Sequence, residues 1–294
     1  MFVQESVLFY KHSHYNYIKK VLFWIKQIEE RSLEMKSIVS YREADGSIIN
    51  FESHSSLKSP LELARYYATE KNYPDRYVVF TDRLTKAKVT TKTKAESEAE
   101  HGLFMSCILR PSIFPSQASL LSAMSTAALA SGLGEHTDKE IGIGWVSDIY
   151  CDNVKIGSVS LEGRLDDFTT YEYIIISFNV KISKENFPPR LKDMVKKVFQ
   201  QENTSLNMII ARTVLSYFFK FYQNLRSPQA FMEIYSEKFA LRGKKVKFYR
   251  DEKWRSYKVL GIDTKLGNII LDNGKNPPIH VSSPTLIQNP KKIK

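Results

Sequence analysis

Lys155 stands where a single cation could do chemistry. Residues 142–163 read Gly-Ile-Gly-Trp-Val-Ser-Asp-Ile-Tyr-Cys-Asp-Asn-Val-Lys-Ile-Gly-Ser-Val-Ser-Leu-Glu-Gly. An apolar strand ending at Trp145, a polar turn at Asp152-Asn153 and a second strand opening on Lys155 predict a hairpin with one lysine at its mouth. A lysine so placed meets carboxylate or phosphate oxygens without deep burial. Other chemistries find less support. The six histidines are scattered, with only His12 and His14 close together, and Cys107 and Cys151 are the only cysteines. No Cys/His cluster has zinc-ligand spacing, and both thiols read as buried and reduced.

The elements that must position Lys155 follow from periodicity and turn residues. Residues 15–36 predict one amphipathic helix, with Ile18, Leu22, Ile25, Ile28 and Leu33 on one face. Strands over 37–43 and 47–52 flank the Asp45-Gly46 turn. A polar loop over 54–59 then leads into a helix with Pro60 at its start. Short strands are expected over 77–81 and 103–109, separated by a polar segment that carries Arg83, Lys86, Lys88, Lys92 and Lys94 before Glu96, Glu98 and Glu100. Helices are expected over 116–132, about 190–201 and 205–225, and a strand around 173–181. From residue 241 the pattern changes to strands over 245–249, 256–262, 268–271 and 279–282, separated by Asp251-Glu252, Leu266-Gly267 and Asn273-Gly274. Such spacing suits a small SH3-like barrel. The organisation expected is an N-terminal helical extension over 1–36, a mixed α+β domain over 37–240 and a β module over 241–294.

Composition narrows the function classes. The chain has 294 residues, 43% hydrophobic and 26% charged, as an ordinary globular protein does. No apolar run reaches the roughly 20 residues that span a bilayer, and the first residues lack a signal-peptide layout. A cytoplasmic protein with no membrane partner is expected. The net charge is +11, but residues 242–294 alone carry thirteen Lys/Arg against four Asp/Glu. The basic excess therefore belongs to the C-terminal module.

Taken in order, the motifs resemble the catalytic domain of the biotin protein ligases, itself related to lipoate ligases and class II synthetases. His-Ser-Ser-Leu-Lys-Ser (54–59) stands where the family has Asp-Ser-Thr-Asn, with Ser56 as the matching serine. The segment 83–101 stands where the family has its Gly/Arg-rich phosphate loop. Gly-Trp-Val-Ser-Asp (144–148) corresponds to Lys-Trp-Pro-Asn-Asp and keeps Trp145 and Asp148. Lys155-Ile156-Gly157-Ser158 corresponds to the motif that carries the family's catalytic lysine, and Glu162 to the glutamate after it. Ile-Ile-Ser-Phe-Asn-Val (175–180) corresponds to Gly-Ile-Gly-Ile-Asn-Val and keeps Asn179. Gly-Lys-Lys-Val (243–246) and Val-Leu-Gly-Ile-Asp (259–263) fit the family's C-terminal domain. The fold class this implies is α+β, a class II synthetase-like mixed sheet with flanking helices followed by a small SH3-like β-barrel domain.

The resemblance implies an ATP-dependent ligase. Biotin's carboxylate would attack the α-phosphate of ATP, with Mg²⁺, to form biotinyl-5′-AMP. A lysine of a biotin carboxyl carrier-type acceptor domain would then take the acyl group. Lys155 would bridge carboxylate and phosphate oxygens, Gly157 would let the ligand approach the backbone closely, and Lys88, Lys92 and Lys94 would close over the adenylate. Ser56, Trp145, Asp148 and Asn179 would complete the ligand site. Several positions depart from the family. Residues 87–95, Ala-Lys-Val-Thr-Thr-Lys-Thr-Lys-Ala, hold no glycine or arginine to wrap and fork phosphate. Leu57 and Lys58 replace the Thr-Asn that would meet biotin's ureido ring, Gly144 and Ser147 replace Lys and Asn, and Ile175 and Ser177 replace two glycines. The alternative function is therefore a catalytically degenerate relative that binds a small-molecule acid or a carrier domain as a sensor or assembly partner. DNA binding is not expected, because residues 1–36 are too short for a winged helix-turn-helix. The N-terminal helix would pack on the domain or mediate a homodimer.

Overall fold

The computed structural model describes residues 36–42, 46–85, 100–182, 206–265, 267–282 and 286–288. The expected helices over 15–36 and about 190–201, and the lysines at 86, 88, 92 and 94, lie outside the described residues. The chain divides into two compact units, Met1–Ser37 and Ile38–Lys294. All but the first two residues of the sheets described below belong to the second unit.

The larger sheet has eight strands: β1 (Lys36–Arg42), β2 (Ile48–His54), β3 (Tyr77–Leu84), β4 (Glu100–Leu109), β5 (Ile141–Gly144), β6 (Asp148–Cys151), β7 (Val154–Leu165) and β8 (Tyr171–Lys181). Their spatial order is β1-β2-β3-β4-β8-β7-β6-β5. The β2–β3 pair is parallel and the pairs from β3 to β5 along this order are antiparallel, which makes the sheet mixed. The parallel pair needs a crossover, supplied by helix α1 (Pro60–Thr69). Pro60 opens this helix, as expected, and the Ser59 hydroxyl caps it by accepting from the Glu62 amide at 3.2 Å.

Helices cover both faces of the sheet. Ala64, Tyr67 and Ala68 of α1 pack with Val79, Ile108, Tyr173 and Ile175 on one face. The main core lies on the other face, beneath α2 (Ala118–Gly134), α3 (Leu206–Gln223) and α4 (Gln229–Glu237). Helix α2 is apolar nearly all round, with Leu121, Met124, Ala127, Ala128 and Leu129 fully buried, as a central helix must be. Close approach of α3 requires Gly132, where a Cβ would lie 2.6 Å from a Val214 methyl. Both cysteines are free and buried.

A curled five-stranded antiparallel sheet forms the C-terminal module, with β9 (Lys245–Arg250), β10 (Lys253–Ile262), β11 (Ile269–Asp272), β12 (Ile279–Val281) and β13 (Ile287–Gln288) in the order β12-β11-β10-β9-β13. Alternation sets its sides: Val246, Phe248, Tyr257 and Val259 are buried while their neighbours are exposed. The α+β class and the small β module expected from the sequence are both present. Helix α4 and strand β13 were not expected. No helix among the described residues is long and apolar enough to cross a membrane.

Candidate active site on the polar face of the sheet

The segment around Lys155 differs from the expected hairpin. Residues 141–165 form a three-stranded meander, β5-β6-β7, with one turn at 145–147 and a second at Asp152-Asn153. Asp152 and Asn153 both have positive φ, 47° and 66°, a conformation Asp and Asn tolerate and a tight hairpin turn requires. The sequence reading missed the turn after Trp145 because no glycine or proline marks it.

That unmarked turn is the most heavily anchored part of the meander. The Val146 carbonyl accepts from the Tyr235 hydroxyl at 3.0 Å and from the Thr126 hydroxyl at 3.3 Å, and the Ser147 carbonyl accepts from the Val159 amide at 2.8 Å. The Trp145 indole, 4% exposed, donates to the Gly267 carbonyl of the C-terminal module at 2.8 Å. Burial pushes the Tyr235 phenol well above its usual pKa, so it remains a donor. Strand β5 is protected at its outer edge, where Ile143 donates to Lys238 O and Ala240 donates to Ile143 O, at 2.7 and 2.9 Å. Asp148 therefore begins β6 on a rigid support.

Cross-strand register then lines up three rows on the face that carries α1. The first is Asn50, Tyr77, Ile108, Ile175 and Glu162. The second is Glu52, Val79, Ser106, Ser177 and Ser160. The third is His54, Thr81, Phe104, Asn179, Ser158 and Asp148, running from β2 to β6. Direct partners in a ladder point to the same side, so polarity rises row by row away from the helix. Helix α1 is fixed at the first row by Arg65, whose Nε and Nη2 donate to the two oxygens of Glu162 at 2.8 and 2.7 Å.

The third row has an open end and a closed end. At the open end the Lys155 ammonium lies 2.7 Å from Asp148 Oδ1, with side chains 38% and 14% exposed. Asn179 is exposed and Ser158 half-buried. At the closed end Thr81 and Phe104 are buried, and His54 Nε2 lies 2.6 Å from Oε1 of the fully buried Glu52. Glu52 also accepts from the Tyr67 hydroxyl at 2.9 Å and from the Tyr77 hydroxyl. Both phenols are pushed far up in pKa, first by burial and then by the Glu52 carboxylate. Between the two ends the Ser106 and Ser177 hydroxyls bond each other at 2.7 Å beneath the face.

The structure brings Lys155, Asp148 and Asn179 onto one strip and leaves Trp145 behind it as a buried anchor. Ser56 is half-buried in the β2–α1 loop, and that loop is pinned beside the end of β3 by Leu57, which donates to Arg83 O and accepts from the Thr85 amide at 3.1 and 2.9 Å. At Gly157 a Cβ would lie 2.2 Å from the Asn179 carbonyl, so packing of β7 on β8 by itself requires glycine there. Glu52, His54, Arg65 and Ser106 were not singled out by sequence. The alternation Ser158-Ser160-Glu162 on β7 and Ser177-Asn179 on β8 was the available signal for a polar face.

Similarity to known proteins agrees with this architecture. No family model matches the chain. It is 27% identical over 148 residues to the bifunctional ligase/repressor BirA of Bacillus subtilis, a match spanning 50% of this chain and 45% of BirA. The chain thus aligns with under half the length of that curated relative. Among solved structures, biotin protein ligase from Aquifex aeolicus in complex with biotin and ATP superposes with a TM-score of 0.56 at 19% identity, covering 81% of this chain and 97% of the other. Another structure of the Aquifex aeolicus ligase gives 0.58 at 18% identity, covering 81% and 96%. At such identities the structural likeness is one of fold. In sequence the chain is similar to BirA over half its length, and in fold it is similar to the biotin protein ligases.

Proposed function

We propose that this protein is a biotin protein ligase-like enzyme that activates a carboxylic acid, biotin in the first instance, as its acyl-adenylate and passes the acyl group to a lysine of a carrier domain. The observation that carries the reading is the Lys155–Asp148 pair at the open end of the polar strip, 2.7 Å apart and only partly shielded. In support, the Aquifex aeolicus ligase of the same fold is known in complex with biotin and ATP.

Two anions must meet for the adenylate to form. A carboxylate oxygen attacks the α-phosphorus while the bond to the pyrophosphate oxygen breaks. A fixed cation at that point stabilises the charge on both partners without reorganising during reaction. Lys155 supplies it, and the Asp148 carboxylate holds the ammonium in place until the ligand's oxygens compete for it. Asn179 and Ser158 offer hydrogen bonds along the same strip. In the second step an acceptor amine attacks the acyl carbon, the bond to AMP breaks, and the amine proton leaves with the phosphate or solvent. Mg²⁺ binds through one or two carboxylates plus phosphate oxygens, so it would arrive with the triphosphate. Lys88, Lys92 and Lys94 would cover the nucleotide.

The degenerate reading draws on one observation, the glycine- and arginine-free composition of residues 87–95. A single experiment separates the two. The protein is incubated with ATP, Mg²⁺ and biotin, lipoate or octanoate, and pyrophosphate release is followed. Acid-dependent release supports the ligase. If no acid supports release at millimolar concentration, the ligase reading fails and direct ligand-binding calorimetry tests the sensor.

A further inference from the structure

The outer face of the β9–β10 hairpin departs from what a merely solvated sheet needs. Its inner residues, Val246, Phe248, Tyr257 and Val259, form the module's core. On the opposite side Tyr249 and Trp254 are direct cross-strand partners, ring centroids 5.3 Å apart, and 39% and 48% exposed. Alternation places Lys245 and Lys247 on the same side of β9, and Ser256, Lys258 and the exposed Leu260 on that side of β10. Lys245 sits directly opposite Lys258, an arrangement of like charges that destabilises a strand pair. Among the described residues none of these three lysines makes an ion pair. Asp272 is the partner of Lys258 on β11, but its Oδ1 is taken by the Gly274 amide at 2.7 Å. An exposed tryptophan and an unrelieved pair of lysines both cost the free protein something, and both become favourable against a polyanion with flat, stackable groups.

We propose that this face binds single-stranded nucleic acid. Lysines two apart on a strand lie roughly 7 Å from each other, close to the spacing of successive phosphates along an extended strand. The aromatic pair continues the same line and offers ring faces to unpaired bases, the combination that sequence-tolerant single-strand binders use. A membrane surface fits less well, because Asp251 and Glu252 at the hairpin tip would have to enter the apolar phase with the rings, whereas bases can stack on the rings with the tip in water and Asp251 beside Arg250 and Arg255. DNA binding was not expected from the sequence, but that expectation rested on residues 1–36 and not on this face. Nothing in the proposal depends on ligase activity.

The test is fluorescence anisotropy of a labelled oligothymidylate of about 15 nucleotides, titrated with the full chain at about 50 and 200 mM NaCl. Binding is expected to weaken with salt and to quench Trp254. The double variant Tyr249→Ala/Trp254→Ala should lose at least about ten-fold in affinity while remaining folded, with only the modest loss of stability that a partly exposed cross-strand pair contributes. Lys245→Gln and Lys247→Gln should each reduce the slope of log K against log salt by about 0.7. Four results overturn the proposal: no binding at the lower salt, equal binding by the double variant, equal affinity for the duplex of the same length, or polyglutamate or anionic vesicles binding with the same dependence on Trp254.

Discussion

Each end of the third row joins a residue of that row to a neighbour, His54 to Glu52 and Asp148 to Lys155, so that a carboxylate meets a nitrogen base at both ends in opposite states of satisfaction. At the closed end Glu52 is fully buried and accepts from two tyrosines beside a histidine that is 7% exposed. At the open end Asp148 and Lys155 hold each other but leave part of both side chains in contact with water. A buried carboxylate whose lone pairs are all used is committed to structure, because any competing ligand would have to replace several bonds at once. A half-exposed ion pair exchanges partners at little cost. One face of a single sheet thus carries both a fixed polar network and an exchangeable one, and a ligand can compete more easily for the second.

The largest effect should come from the closed end. Glu52→Ala leaves two buried phenols and an imidazole without their acceptor and opens a small void, which should cost about 3–5 kcal/mol in urea unfolding. Glu52→Gln keeps oxygen and volume and should cost less, about 1–2 kcal/mol. A loss below about 1 kcal/mol for the alanine variant would show that the network is not the structural clamp described.

Lys155→Ala should invert that pattern. Acid-dependent pyrophosphate release should fall at least about 100-fold, as removal of a group that faces developing charge does, while stability changes by no more than about 1 kcal/mol. Asp148→Asn removes the holder and retains the cation, so a smaller fall of about ten-fold is expected. Full activity in Lys155→Ala would mean that the site lies elsewhere. Gly157→Ala should cost about 1–3 kcal/mol, because the clash is with the Asn179 carbonyl and backbone cannot swing aside. If that variant is as stable as the wild type, the glycine is not there for strand packing.

The fold was largely legible because its signals are local. Pro60 marks the start of α1, Asp152-Asn153 the β6–β7 turn, and the turn residues after 241 the short strands of the C-terminal module. The turn at 145–147 escaped because three distant groups, Tyr235, Thr126 and the Gly267 carbonyl that the Trp145 indole meets, stabilise it and no glycine or proline within it does. Lys155, Asp148 and Asn179 were legible as a motif series. Their alignment on one face was not, since it depends on the order β8-β7-β6, which brings together strands whose register no short window contains. Glu52 reads in sequence as one more charged residue in a strand. Its burial follows only once Tyr67 and Tyr77 are known to fold over it.

The smallest effect expected is at the clamp between α1 and β7. Arg65 and Glu162 make a two-pronged pair with good distances, but the side chains are 46% and 34% exposed. Solvent screening and the entropy of holding two long side chains offset most of the attraction, so Arg65→Ala should cost only about 0.5–1 kcal/mol. Its consequence should instead be local. Helix α1 follows the loop that carries Ser56, and loosening its middle lets that loop move against β3 without unfolding the sheet. Hydrogen exchange should therefore quicken at the Leu57 and Thr85 amides, which bond across this junction, with the amides of β4 and β8 unchanged. Equal acceleration throughout the sheet would mean that the clamp supports the whole domain, and the contrast between fixed and exchangeable ion pairs would not extend to this pair.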